Sequence, residues 1–159
     1  ILPLVSCNQC PPAWNIESSC ERTCWGFKKI KYADANICKN LEVELIKSPE
    51  GLRMYFSILS IPLRSRPDGA GQVECTLTFQ DSSSSKITLE RLEGGQRFLV
   101  SETDMFTMIE RLWDGEPIIV KLGRYEGTLE CGNFRKAYRD LLSSDSCDVK
   151  VHWSSFYLR

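Results

Sequence analysis

The stretch Val73-Glu74-Cys75-Thr76-Leu77-Thr78-Phe79-Gln80 alternates apolar and polar side chains along its whole length. Successive side chains of an extended strand point to opposite faces, so Val73, Cys75, Leu77 and Phe79 belong to a buried face and Glu74, Thr76, Thr78 and Gln80 to a wet one. One-sided burial of this kind is the mark of antiparallel sheets, which pack one face on a core and leave the other in water. Leu41, Val43 and Leu45 alternate with Glu42 and Glu44 in the same way. Between these two segments, residues 52–63 are rich in Ile, Phe and Tyr and read as a longer, more buried strand ending near Pro62. Residues 66–71 carry proline and glycine in turn positions, residues 82–85 form the next turn, and Gly94-Gly95 joins 87–92 to 97–100 as a hairpin. Short strands at this spacing predict a mainly β fold, an antiparallel sandwich or barrel-like sheet.

Two short helices interrupt the alternation. Ser101 and Asp104 stand in capping-box spacing, Met105, Met108, Ile109 and Leu112 follow at helical period, and Gly115 is placed to end the helix. Its apolar stripe is expected to cover the sheet. After a strand at 118–122 and a turn at 123–127 come Leu129 and Cys131. Asn133 is then expected to cap a second helix, with Phe134, Ala137, Tyr138, Leu141 and Leu142 on one face and Arg135, Lys136 and Arg139 turned away. Val149, Val151 and Trp153 complete a final alternating strand.

The chain has 159 residues, of which 42% are hydrophobic and 26% charged, ordinary values for a globular protein. One structural domain is expected, with a cysteine-dense segment, 1–40, packed on a β-rich core, 41–159. Folding at this length buries roughly 68–70% of the unfolded surface, so the core needs neither metal nor partner. Twenty basic and 21 acidic residues leave a net charge of −1, which supplies no field for steering onto nucleic acid. No run of 18 or more apolar residues offers a transmembrane segment.

The eight cysteines are Cys7, Cys10, Cys20, Cys24, Cys38, Cys75, Cys131 and Cys147. Four of them stand alone and far apart, as clamps between distant elements would, and an even count favours complete pairing. The expectation is a disulfide-stapled fold from an oxidising compartment, each bridge adding roughly 2–4 kcal/mol. Which cysteine pairs with which stays open. An alternative reading takes Cys7, Cys10, Cys20 and Cys24 as the thiolates of a structural zinc site in an intracellular protein. The spacing C-x₂-C-x₉-C-x₃-C is a loose match, so no metal or other cofactor is assigned.

Catalytic residues are not assigned either. The chain holds one histidine, His152, on the solvent side of the last predicted strand, and lacks the nucleophile elbow, the P-loop, the dinucleotide fingerprint and the zincin motif. Glu42 and Glu44 would suit a small extracellular hydrolase of the glycosidase kind, but on one exposed strand face they serve solubility. Recognition through aromatic groups is the remaining reading. Trp14, Trp25 and Phe27 lie in the cysteine-dense region, where disulfides would hold a rigid surface for a partner, an unidentified protein or envelope component. The competing reading packs these rings over the disulfides as a small satellite core. The tail at 156–159 is a second aromatic candidate.

Two resemblances bear on compartment. Leu4-Val5-Ser6-Cys7 resembles the lipobox of bacterial lipoproteins, which would place a lipid anchor on Cys7; residues 1–6 are still present, which speaks against it. The segment with Leu112-Trp113-Asp114-Gly115, Ile118-Ile119-Val120-Lys121-Leu122 and Phe134-Arg135-Lys136-Ala137-Tyr138 resembles the C-terminal part of small exported bacterial proteins of the invasion-associated locus B type. The resemblance implies a β-sandwich-like envelope protein without enzymatic chemistry. The absence of any N-x-[ST] acceptor agrees with a bacterial source. The function expected is a non-enzymatic exported binding module, extracellular or periplasmic.

Overall fold

The computed structural model describes residues 14–19, 27–33, 41–58, 71–92 and 96–143, without the side chains of Ser18, Ser19, Phe27 and Ala33. Cys7, Cys10, Cys20, Cys24, Cys38 and Cys147 lie outside the described residues, as do Trp25, Gly94-Gly95, His152, the loop at 66–70, the predicted strand at 149–153 and the tail.

Nine strands and two helices make up this part of the chain: β1 (Trp14–Ser19), β2 (Phe27–Ala33), β3 (Leu41–Ser48), β4 (Gly51–Ile58), β5 (Gln72–Thr78), β6 (Ser84–Arg91), β7 (Arg97–Leu99), α1 (Glu102–Trp113), β8 (Ile118–Leu122), β9 (Tyr125–Leu129) and α2 (Phe134–Leu142). The strands form one sheet in the order β1-β2-β3-β4-β7-β6-β5-β8-β9. Every ladder in it is antiparallel. The mainly β expectation is met. The strands are joined as one continuous sheet with β1 and β9 as its edges, so no hydrogen-bonded barrel closes among the described residues.

Alternation decides which face is buried. Val43 and Leu45 of β3, Met54 and Phe56 of β4, Leu89 of β6 and Leu77 of β5 are almost fully buried, whereas Glu74, Thr88 and Lys121 between such positions are exposed. Met105, Met108 and Leu112 of α1 and Phe134, Ala137 and Leu141 of α2 belong to the same core cluster as the sheet residues. Leu142, expected on the inner face of α2, is 46% exposed, because the helix turns its last residue outward.

Helix α1 begins and ends as its sequence dictates. Ser101 is its N-cap and its hydroxyl accepts from Asp104 N at 3.2 Å. Beyond Asp114, Gly115 takes φ +82°, and Gly115 N to Leu112 O (3.2 Å) and Glu116 N to Arg111 O (2.9 Å) satisfy two of the last carbonyls. Asn133 departs from expectation. It occupies the N-cap position of α2, yet its side chain makes no capping bond.

Before residue 41, the described residues 14–19 and 27–33 are more regular than their sequence suggests. Both β1 and β2 pair in full register with the sheet, Ile16 opposite Ile30 and Tyr32 opposite Val43. The Lys28-Lys29-Ile30-Lys31-Tyr32 run hides its alternation behind charge: Lys29 pairs with Glu44 and Lys31 with Glu42 on the outer face. Gly127, read as part of a turn, lies within β9; the turn is confined to Gly123 and Arg124.

Candidate functional site

The sheet contains a fork. β7 is only three residues long and lies between two strands of eight. It pairs with β4 through Tyr55↔Leu99, Phe56↔Phe98 and Ser57↔Arg97, and with β6 through Glu90↔Leu99 and Arg91↔Phe98. The last bond toward β4 runs from Val100 N to Met54 O at 3.0 Å. There the chain leaves the sheet, because Ser101 and Asp104 start α1. The capping box that begins the helix thus also truncates the strand, and β4 and β6 continue past it with no neighbour between them among the described residues.

Main-chain groups in a strand alternate in direction as side chains do. Met54 and Ile58 turn theirs toward β7, so Leu52 on the same strand turns its N–H and C=O into the fork. Glu90 of β6 and Leu92 just beyond it face β7 and Arg91 faces Gly71, so Thr88 also faces the fork. Among the described residues no strand pairs with Leu52 or Thr88 on that side.

A cleft of about 620 Å³ fills this position, lined by Glu50, Leu52, Arg53, Thr88, Glu90 and Glu102 among others. That volume is within the usual range for ligand sites. Its floor is apolar, made by Leu52, Val100 and Met105, and its outer wall is polar. Arg53 is committed to Glu50 at 3.2 Å. Glu90 and Glu102 have no ion-pair partner among the described residues, which leaves the cleft acidic.

The residues singled out from sequence stand elsewhere. Trp14 is 1% exposed and packs against Tyr32 and Phe134, with ring centroids 5.2 and 5.0 Å away, while its Nε1 donates to Glu130 O at 3.0 Å. It is a residue of the main core and offers no surface to a partner; nor does it belong to a satellite cluster over disulfides, none of which is present among the described residues. Phe27 belongs to β2 but its side chain lies outside the described residues. Glu42 and Glu44 are held by cations, Glu42 by Lys31 at 3.1 Å and Glu44 by Lys29 and Arg97, each at 2.9 Å. Glu44 is 8% exposed, a buried carboxylate on the side of the sheet expected to be wet. The bond to Glu44 raises the pKa of Lys29 above its ordinary value.

Cys75 and Cys131, expected as clamps, are free thiols. Cys75 is wholly enclosed by the core, and that desolvation pushes its thiol up to about 12. Cys131 is half-buried, with its sulfur 3.2 Å from Gly115 O. Among the described residues no disulfide is present.

A second surface feature lies where α1 ends against α2. The guanidinium groups of Arg135 and Arg139 stand 5.6 and 5.1 Å from the Trp113 ring, and Tyr138 meets the same ring edge-on at 6.1 Å. The basic face of α2 is therefore partly anchored on an aromatic ring.

Sequence reasoning missed the cleft. Leu52, Thr88 and Glu90 look like ordinary strand residues, and only the spacing between the Arg97 strand and the Ser101 cap carried a signal. Neither the family models nor the curated proteins nor the solved structures compared with this chain contain a match to it.

Proposed function

We propose that this chain is a non-enzymatic exported binding module, extracellular or periplasmic, whose recognition site is the cleft between β4 and β6. The observation that carries the reading is the fork: two strands present main-chain groups that no other described strand pairs, on either side of a cavity with an apolar floor. Native sheets normally protect such edges, and a cavity left between two of them is suited to holding a ligand. Export is supported by the cysteine count. With Cys75 and Cys131 free, six cysteines remain, an even number for three bridges. The likeness to invasion-associated locus B proteins and a barrel-like curl of the sheet belong to the same reading.

Selection from a random peptide display library tests it. Enriched peptides should perturb the amide resonances of Leu52, Thr88 and Ser101 in NMR titrations. Enriched peptides that perturb only residues remote from the fork, or a library that yields none, would refute the cleft as the binding site.

A further inference from the structure

We infer that the ligand of this cleft is an extended polypeptide segment that inserts as a strand between β4 and β6, alternating apolar and basic side chains. The inference rests on the cleft reading above and specifies the ligand. Adjacent strands lie roughly 4.8 Å apart, so among the described residues β4 and β6, held two spacings apart by β7, leave room for one strand on the line that β7 abandons at Val100. Such a strand would find the main chain of Leu52 on one side and of Thr88 on the other, and main-chain pairing of this kind is a recurrent mode of peptide capture.

The walls set its side-chain pattern. Positions pointing inward would rest on Leu52, Val100 and Met105, all apolar. Positions pointing outward would stand beside Thr88 and Glu90, with Glu50 and Glu102 at the rim. Of the charges on the described residues around the cleft, three are carboxylates and the single cation, Arg53, is already bound to Glu50. Lysine or arginine at the outward positions complements that field, whereas acidic residues are repelled. The helix N-terminus at Ser101 does not reverse this, since Glu102 and Asp104 occupy its first turn.

The probe is an end-capped heptapeptide alternating valine and lysine, titrated into the full chain by NMR and calorimetry. It is expected to bind at the cleft, to slow hydrogen exchange of the Thr88 and Leu52 amides, and to bind more weakly as salt is raised. Methylating alternate backbone nitrogens of the peptide, which leaves the protein untouched, should weaken it about tenfold through the loss of main-chain bonds. Replacing its lysines by glutamate should abolish binding. In the protein, Thr88→Pro removes the donor that faces the fork without removing a β5–β6 ladder bond, and should weaken binding to a similar extent. Failure of the lysine peptide to bind at millimolar concentration overturns the inference, while the display library decides the cleft reading separately. Equal binding of the methylated peptide, with no protection at Thr88, refutes strand insertion and leaves the cleft standing. Perturbations confined to another surface refute both.

Discussion

The carboxamide of Asn133 grips the main chain of Trp14 from both sides: Nδ2 donates to Trp14 O and Oδ1 accepts from Trp14 N, each at 2.8 Å. A neighbouring strand would make the same pair of bonds, so this side chain stands in for one at the free edge of β1. At the other edge of the sheet Tyr32 does likewise, its hydroxyl donating to Thr128 O at 3.1 Å and accepting from Glu130 N at 3.4 Å. Both edge strands are thereby blunted by side chains, one of the ways in which proteins protect open edges.

Asn133→Ala should destabilise the fold by about 1–3 kcal/mol, the sum of two hydrogen bonds at typical strength. The informative comparison is Asn133→Ser. Serine is a good N-cap and would restore stability if capping were the role of this residue. A single hydroxyl cannot supply both a donor and an acceptor at the spacing of a peptide unit, so urea denaturation should find Ser nearly as damaging as Ala.

Gly127 is required by Tyr125. A Cβ built on Gly127 would lie 2.0 Å from the Tyr125 hydroxyl and 2.8 Å from its Cζ, so the ring covers the strand where the glycine leaves space. Gly127→Ala should therefore cost about 1–3 kcal/mol by overcrowding, against the usual gain from replacing a strand glycine. The double variant with Tyr125→Phe, which removes the nearest atom, should recover part of that loss in the same thermal melts.

The Cys75 thiol reports on global opening. Its pKa is raised to about 12 from an ordinary 9.0, so the folded state keeps the proton while the unfolded chain releases it. The stability it contributes is complete below pH 9 and is lost as pH rises toward 12. Iodoacetamide labelling followed by peptide mass mapping should find Cys75 modified at the rate of unfolding and Cys131 much faster. Rapid labelling of Cys75 in the native protein would contradict its enclosure.

Glu44 holds Lys29 and Arg97 together on the outer face. Glu44→Gln leaves both cations without their shared carboxylate and should cost about 1–3 kcal/mol near neutral pH, discounted for the partial exposure of Arg97. Since Glu44 raises the pKa of Lys29, that contribution is present below the ordinary lysine value of 10.5 and lost as pH rises through the raised one. Denaturation series should show the deficit of the variant steady up to about pH 10 and shrinking above it.

Some of this was legible in the sequence. Alternation at Val73 to Phe79 and at Leu41 to Leu45, the Ser101 capping box and the Gly115 stop are local signals, carried by side-chain period and backbone preference, and the chain obeys them. Among the described residues those signals determined a mainly antiparallel β fold with two helices and identified most of its buried face. The tertiary structure decided what depends on residues far apart in sequence. Asn133 is free to serve Trp14 instead of its own helix only because the chain brings together positions separated by 119 residues. Glu44 is buried because Lys29 and Arg97 converge on it from two other strands, and Cys75 remains a thiol within a core that encloses it. The cleft belongs to the same class: a three-residue strand is unremarkable in one dimension, and only its place between two long neighbours makes it a gap.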